Sequence, residues 1–281
     1  MSALPERPIS MVIGALGGEG GGVLTTWVVR AAEMCNFPTQ STSIPGVAQR
    51  TGATTYYVEI FPAPFDQLDG KAPVMALYAA PGNMDIVVTS ELMEAGRMLE
   101  NGMVTPDRTT LIASTHRIYS IVEKSAMGDG LFRGDKLDNA AQKLSKRAIL
   151  FDIAHLAEKE GTVLNAIVLG LIAGSGELPI PVENFAEAIR ESGIAVESNL
   201  KGFEIGIAYT KGDLKLPEAA PEKKIRAAKP SAESLIADVA SAYPGEAQAI
   251  VTEGVKRLVD YQNPAYAKLY LDRLADVLTI D

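Results

Sequence analysis

Apolar positions along this chain fall into two kinds of block with different periods. Short runs rich in β-branched residues occupy Ile9 to Ala15, Ala53 to Phe61, Ile86 to Thr89, Thr109 to Ser114 and Ala148 to Asp152. Runs of that length, bounded by turn-forming residues, predict buried strands. A more polar strand region, Pro38 to Pro45, lies between the first two. Helical spacing of apolar side chains appears over Val23 to Met34, Glu91 to Leu99 and Asp135 to Lys146, and again from Ile153 to Lys159 running on towards Gly174. Val182 to Glu191 and Ser198 to Thr210 predict two further helices. Parallel strands need crossover connections that are usually helical, so strand and helix in alternation predict a mostly parallel sheet covered on both faces. The fold class read here is α/β: a three-layer, Rossmann-like α/β/α domain.

After these elements the pattern stops. Residues 214 to 231, LKLPEAAPEKKIRAAKPS, hold three prolines, many alanines and charges and almost no large apolar side chain, the composition of a surface linker. The reading is an α/β domain over 1–212, a linker over 213–230 and a small C-terminal helical extension over 231–281. In the extension Ser231 is a candidate cap ahead of a helix at Ser234 to Tyr243. A second helix is expected from Glu246 to Tyr261 and a third after Asn263-Pro264, since Pro suits a first helical turn. About 50 residues is near the lower limit for independent folding, so the extension is expected to pack on the main domain or on another chain.

Composition narrows the function classes. The 281 residues are 47% hydrophobic and 22% charged, with 26 Lys plus Arg against 35 Asp plus Glu and a formal net charge of -9. That is the usage of a folded globular protein, and its sign repels nucleic-acid phosphates and anionic lipid. Nucleic acid is excluded as an expected partner. The single cysteine, Cys35, cannot form an internal disulfide, an iron–sulfur cluster or a cysteine-built zinc site by itself. The most apolar stretch, Val163 to Gly174, carries an Asn and two glycines and falls short of the roughly 18 residues a membrane span needs. The first residues, MSALPERPISMVIG, lack an apolar core of signal-peptide length, so a cytoplasmic location is expected.

The densest candidate site is Gly17-Gly18-Glu19-Gly20-Gly21-Gly22, at the end of the first strand. Glycines there let backbone approach a ligand, and the first amides of the following helix present unpaired donors to an anion. The alternative is that they serve only close helix–sheet packing. As a dinucleotide fingerprint the run is imperfect: Ala15 stands where the tight-turn Gly is expected, and Pro38 to Pro45 offers no carboxylate for a ribose. A second cluster, Pro45 to Gly52, holds Gln49 and Arg50, whose planar donors suit a carboxylate or phosphate; an exposed turn arginine is the alternative. Asn165, inside an apolar stretch, needs hydrogen-bond partners and reads as a tether or a ligand contact. Asp152 reads as a helix cap, Cys35 as core, and His116 and His155, with no metal-ligand spacing around them, as surface or core histidines.

The glycine run after a first strand followed by G-x-AQR-x-G resembles the gamma domain of 2-oxoacid:ferredoxin oxidoreductases, and within that group the beta subunit of indolepyruvate ferredoxin oxidoreductases. Asn165 with Leu169-Gly170, and Glu197, Asn199, Phe203 and Gly206, are similar to that family's N-xxx-LG and E-x-N-xxx-F-xx-G patterns. These motifs span about residues 9 to 210, and the region after 211 resembles the start of the C-terminal extension of some long members. The resemblance implies a complex that oxidatively decarboxylates an aryl 2-oxo acid on thiamine diphosphate and passes electrons through iron–sulfur clusters to ferredoxin, giving an arylacetyl-coenzyme A or the free arylacetate. This chain is then the non-cofactor subunit and inactive alone. Thiamine diphosphate, Mg and the clusters are expected on an alpha subunit, because Gly128-Asp129-Gly130 lacks the buried strand before it and the Asn pair after it that a thiamine metal motif has. The glycine turn (Gly17, Gly18, Glu19, Gly20), Gln49, Arg50, Asn165 and Asn199 are implied ligand or interface residues, facing the partner's active site, coenzyme A or the subunit interface.

One departure from the family pattern carries its own physics: Glu19 stands where the family has Gln. Two unit charges about 4 Å apart repel by about 4 kcal/mol at an effective dielectric of about 20, more than the 0.3–1 kcal/mol or so a helix dipole offers an anion. A weak phosphate site is therefore expected at the glycine turn, with Glu19 occupied by amides or by a basic group of a partner. Two other classes stay open on the sequence alone: a stand-alone nucleotide-binding oxidoreductase, and a purely structural assembly subunit.

Overall fold

A computed structural model describes residues 5–45, 53–117, 134–214 and 230–278. The chain divides into two compact units, Met1–Ala219 and Ala220–Asp281.

The first unit is built on a six-stranded sheet of β1 (Ile9–Leu16), β2 (Thr39–Ile44), β3 (Ala53–Ile60), β4 (Ile86–Thr89), β5 (Thr110–Ser114) and β6 (Arg147–Phe151), in the order β2-β3-β1-β4-β5-β6. β1, β4, β5 and β6 run parallel to one another, while β3 pairs antiparallel with both β1 and β2. The mostly parallel reading holds, with β3 the one reversed strand. From β1 the chain first builds β2 and β3 on one side, then crosses to β4 on the other. Such a reversal of strand order leaves a crevice beyond the carboxyl ends of the strands, where open α/β sheets bind ligands.

Helices cover both faces. α2 (Leu92–Glu100) and α3 (Gly134–Leu144) lie on one side, over a core that includes Val12, Met84, Val87, Met98 and Leu111. The other layer holds α1 (Gly21–Glu33), α4 (Ile153–Glu160), α5 (Leu164–Ser175), α6 (Val182–Ser192) and α7 (Val196–Lys211). Its core includes Ile13, Trp27, Ile112, Ile167 and Phe185. Strand alternation explains the split: Met11, Ile13 and Ala15 face one layer and Val12 the other. The helical pattern read as continuous from Ile153 towards Gly174 is two helices, broken at Gly161, which takes the left-handed conformation (φ 66°) that ends a helix without strain in Gly.

The pair α5 and α7 is the tightest in the unit. A side chain at Gly170 would lie 2.1 Å from the Phe203 carbonyl oxygen, and one at Gly206 2.2 Å from the Ile167 carbonyl oxygen. Two family-like motifs thus end in glycines that let two helix backbones touch. Opposite, the segment from Lys71 to Met84 runs over the β2–β3 edge, held by Gln40 Nε2 to Ala76 O (2.9 Å), Thr42 Oγ1 to Leu77 O (2.7 Å) and Ala76 N to the buried Glu59 carboxylate (2.5 Å).

The second unit is a three-helix cluster of α8 (Pro230–Ala242), α9 (Gly245–Tyr261) and α10 (Pro264–Leu278) around Val239, Val251, Val255, Val259 and Ala267. Its first helix begins at Pro230, ahead of Ser231, which is therefore inside the helix and not its cap.

Candidate functional site

Beyond the carboxyl ends of β1, β4 and β5 lies a cleft of about 540 Å³. Its walls include Gly18, Glu19 and Gly20 from the glycine turn, Trp27 from α1, His116 from the segment after β5, Asn165 from α5 and Asn199 from α7. Four sequence segments separated by up to 180 residues meet there because the parallel strands deliver their carboxyl ends to one edge of the sheet.

Glu19 is the hub of the polar part. Its backbone amide bonds to Leu16 O (3.1 Å), closing a tight turn after β1. Its Oε2 accepts from Leu16 N (3.3 Å) and from Ser90 Oγ, just past β4. Its Oε1 lies 3.3 Å from His116 Nε2. The other ring nitrogen, Nδ1, is 2.9 Å from Ser114 Oγ at the end of β5. Ser114 Oγ also accepts from Ile153 N (3.1 Å) and Ala154 N (3.4 Å), the first amides of α4. A hydroxyl oxygen has two lone pairs; with both taken by amides, its own proton is left for His116 Nδ1. With Nδ1 an acceptor, the ring proton sits on Nε2, which faces the Glu19 carboxylate. Within this chain the groups around the Glu19 carboxylate are Leu16 N, Ser90 Oγ and His116.

The α1 N-terminus behind it has no side-chain cap and no acidic residue in its first turn. Gly20 is held by two constraints: φ of 76°, in the left-handed region, and a side-chain position only 2.5 Å from Asn165 Nδ2. That nitrogen donates to Gly20 O (3.4 Å), so Asn165 is a tether of the turn. Asn199 does the same for the opposite wall: its Nδ2 donates to Ile194 O (2.8 Å), holding the turn in which Ala195 takes φ 42°. A non-glycine residue in that region is strained by about 1–2 kcal/mol, and here it stands at the cleft. Each carboxamide nitrogen faces a carbonyl, which leaves each Oδ1 as an acceptor. Trp27 is buried, and its Nε1 finds no acceptor among the described residues.

The structure therefore brings together Gly18, Glu19, Gly20, Asn165 and Asn199. Gly17 is exposed on the turn outside the cleft walls. Gln49, Arg50 and Gly128-Asp129-Gly130 lie outside the described residues. Asp152 caps α4 by accepting from His155 N (2.8 Å). Cys35 lies just past α1, partly buried against the core, where burial pushes its thiol pKa up and Asn184 Nδ2 (3.2 Å) opposes the shift. His116, read from sequence as an ordinary histidine, is the residue missed. Its position two residues past the end of β5 was the available signal, because ligands of parallel sheets gather at carboxyl ends. Among the described residues no group of three or more His, Cys, Asp or Glu is placed to hold a metal ion, and no helix is long and apolar enough to cross a membrane.

The chain is similar to an indolepyruvate oxidoreductase subunit, IorB, of Archaeoglobus fulgidus, with 28% identity over 204 residues, covering 70% of this chain and 93% of that one. Its fold is similar to that of pyruvate oxidoreductase subunit PORC of Thermotoga maritima (14% identity, TM-score 0.50, covering 72% of this chain and 96% of that one). It is also similar to part of a 2-oxoglutarate:ferredoxin oxidoreductase from Magnetococcus marinus, solved with 2-oxoglutarate, coenzyme A and succinyl-CoA bound (14% identity, TM-score 0.51). That match covers 77% of this chain and 33% of the longer one. Residues 247–281 match a family of unknown function, DUF6537. The glycine turn, the cleft and both asparagines fall within residues 10–209, which match the pyruvate ferredoxin/flavodoxin oxidoreductase family over well more than half of the chain, and the chain belongs to that family.

Proposed function

We propose that this chain is the non-cofactor subunit of an indolepyruvate-type, arylpyruvate ferredoxin oxidoreductase. The observation that carries the reading is the match to the IorB subunit over 93% of that protein's length, joined to a composition that cannot supply redox chemistry: one cysteine in 281 residues cannot ligate an iron–sulfur cluster. Decarboxylation of the 2-oxo acid on thiamine diphosphate, and electron transfer through clusters to ferredoxin, then belong to an alpha subunit. This chain contributes the glycine turn, Asn165, Asn199 and the Gln49-Arg50 loop to the face turned towards that subunit's active site.

Coenzyme A fits the described part of the cleft poorly. Its phosphates could meet the uncapped amides of α1, but the described lining sets the Glu19 and Glu158 carboxylates near them with no Lys or Arg, and that repulsion outweighs what a helix dipole offers. A free arylacetate is the product this lining favours.

Co-expression with the partner and one-step purification test the assignment. The expected result is a brown, thiamine-containing hetero-oligomer that oxidises an aryl 2-oxo acid with ferredoxin as acceptor, while the chain alone is colourless and inactive. Turnover of an aryl 2-oxo acid by the isolated chain, or a colourless homo-oligomer that binds NAD, would overturn it.

A further inference from the structure

The six-stranded sheet ends on two unlike edges. At one, β6 opens with the exposed Arg147, preceded by Lys146, and the Arg147 guanidinium donates to Ser175 O (3.1 Å) at the end of α5. Charge and helix cover are common protections of an edge strand. At the other edge, β2 pairs with β3 along all of Thr39 to Ile44, and with no other strand among the described residues. Its sequence, Thr-Gln-Ser-Thr-Ser-Ile, has no charge and no proline, and the ladder runs without a bulge. Every second residue of such a strand turns its N–H and C=O away from its neighbour. The segment from Lys71 to Met84 does not use these groups. It is tied to β2 through the side chains of Gln40 and Thr42, and among the described residues no backbone hydrogen bond joins the two. The tie from Thr42 to Leu77 O sets Leu77 and Tyr78, 57% and 65% exposed, near Ile44, which is 52% exposed. Ser41 and Ser43, on the other face of the strand, are exposed as well.

We propose that β2 is the docking edge for a second copy of this chain, pairing antiparallel with the β2 of that copy about a two-fold axis, so that two sheets become one. An isologous contact sets a surface patch against itself. Any charge on β2 would then stand close to its like, and β2 carries none, in a chain that is 22% charged residues with a net charge of -9. A different protein imposes no such condition, because opposite charges on the two sides can then steer and select the pairing. Across the axis Ser and Thr side chains come opposite one another, a combination that hydrogen-bonds between antiparallel strands. Ile44, Leu77 and Tyr78 of each copy flank the ladder with apolar surface. The inference goes beyond the assignment to an oxidoreductase complex and does not rest on it.

Sedimentation velocity on the full-length chain, across the micromolar range and at low salt, should show a monomer–dimer equilibrium. Ser41→Lys combined with Ser43→Lys should weaken the dimer at least about tenfold, since like charges then meet across the axis. Ser41→Glu combined with Ser43→Glu should do the same. An equimolar mixture of the two double variants should dimerise again, because opposite charges now face each other, and that recovery separates repulsion at this edge from misfolding. Leu77→Lys, off the strand, should also weaken the dimer, which keeps the test decisive if changes within β2 unfold the chain. A parent chain that stays monomeric, a dimer indifferent to these variants, or a mixture that stays monomeric would overturn the proposal. So would a monomeric parent whose co-purification with an alpha subunit is lost in both double variants, which would give the edge to that subunit. A colourless dimer of the free chain that binds no NAD leaves the co-purification test intact, and a failure to co-purify leaves the dimer test intact.

Discussion

Replacing Gly20 by Ala tests whether the glycine turn is built for the asparagine behind it. Two costs are separable. The first is conformational: Gly20 sits at φ 76°, where an L-residue costs about 1–2 kcal/mol. The second is steric: the new methyl group would stand 2.5 Å from Asn165 Nδ2 and 2.8 Å from its Cγ, so the buried side chain must move. Overpacking of this kind costs about 1–3 kcal/mol. The lost Asn165–Gly20 hydrogen bond, long at 3.4 Å, adds little, at the low end of about 0.5–1.5 kcal/mol. The expected loss is about 3 kcal/mol. With a urea m-value of about 1–3 kcal/mol/M, that is a midpoint shift of about 1 M or more, read from Trp27, which is 1% exposed in the core of the first unit. Asn165→Ala, combined with Gly20→Ala, removes the steric part and leaves the conformational part. The double variant should therefore lose at least about 1 kcal/mol less than the sum of the single losses. A Gly20→Ala loss below about 0.5 kcal/mol, or strict additivity in the cycle, would refute the reasoning.

Gly170→Ala should be among the most destabilising single changes in the first unit, since its methyl would meet the Phe203 backbone oxygen at 2.1 Å and backbone cannot rotate away; a thermal midpoint within a degree or so of the parent would contradict the close approach of α5 and α7. Ser114→Ala leaves the amides of Ile153 and Ala154 without their acceptor and should cost about 1–3 kcal/mol, and it should turn a single His116 tautomer into a mixture in nitrogen-15 spectra, where only two histidines appear. Burial works to raise the Asp85 pKa, but hydrogen bonds from Arg7 (2.5 and 2.8 Å) and Ser10 hold it below the ordinary value. A depressed carboxylate contributes stability above its unfolded pKa, near 4, and loses it as pH falls through the folded value. The stability gap between parent and Arg7→Gln should thus be open at pH 7 and shrink below about pH 4; a gap constant down to the acid transition would count against this account.

Strand and helix periods were legible where burial was complete. Ile86 to Thr89 is read to the residue, because four consecutive buried positions leave no ambiguity. What periodicity missed lies where backbone geometry intervenes. One apolar helical pattern from Ile153 was two helices, because a single left-handed Gly161 outweighs apolar spacing on both sides. Ser231 has the residue type of a cap, yet Pro230, whose fixed φ suits a helix start, begins the helix one residue earlier. Neither the antiparallel insertion of β3 beside β1 nor the path of the Lys71 to Met84 segment over the β2–β3 edge has a local signature; both follow from pairing across the sheet.

The candidate site shows a different division. Gly20 and Asn165 stand far apart in sequence and are two halves of one contact, and so are Gly170 and Gly206. The glycines and one asparagine that made the chain resemble a family are thus largely conditions for closing the fold, so matching them predicts architecture more firmly than chemistry. The chemistry depends on positions the packing leaves free. Glu19 is such a position: its side chain braces no helix crossing, and its carboxylate ties the turn after β1 to Ser90 and faces His116. His116 is another, since neither spacing nor composition marks it, and only the common direction of β1, β4 and β5 puts it within 3.3 Å of Glu19. A chain with Gln at position 19 would keep the tether from Asn165 to Gly20 and would lose the negative charge that stands beside the uncapped amides of α1.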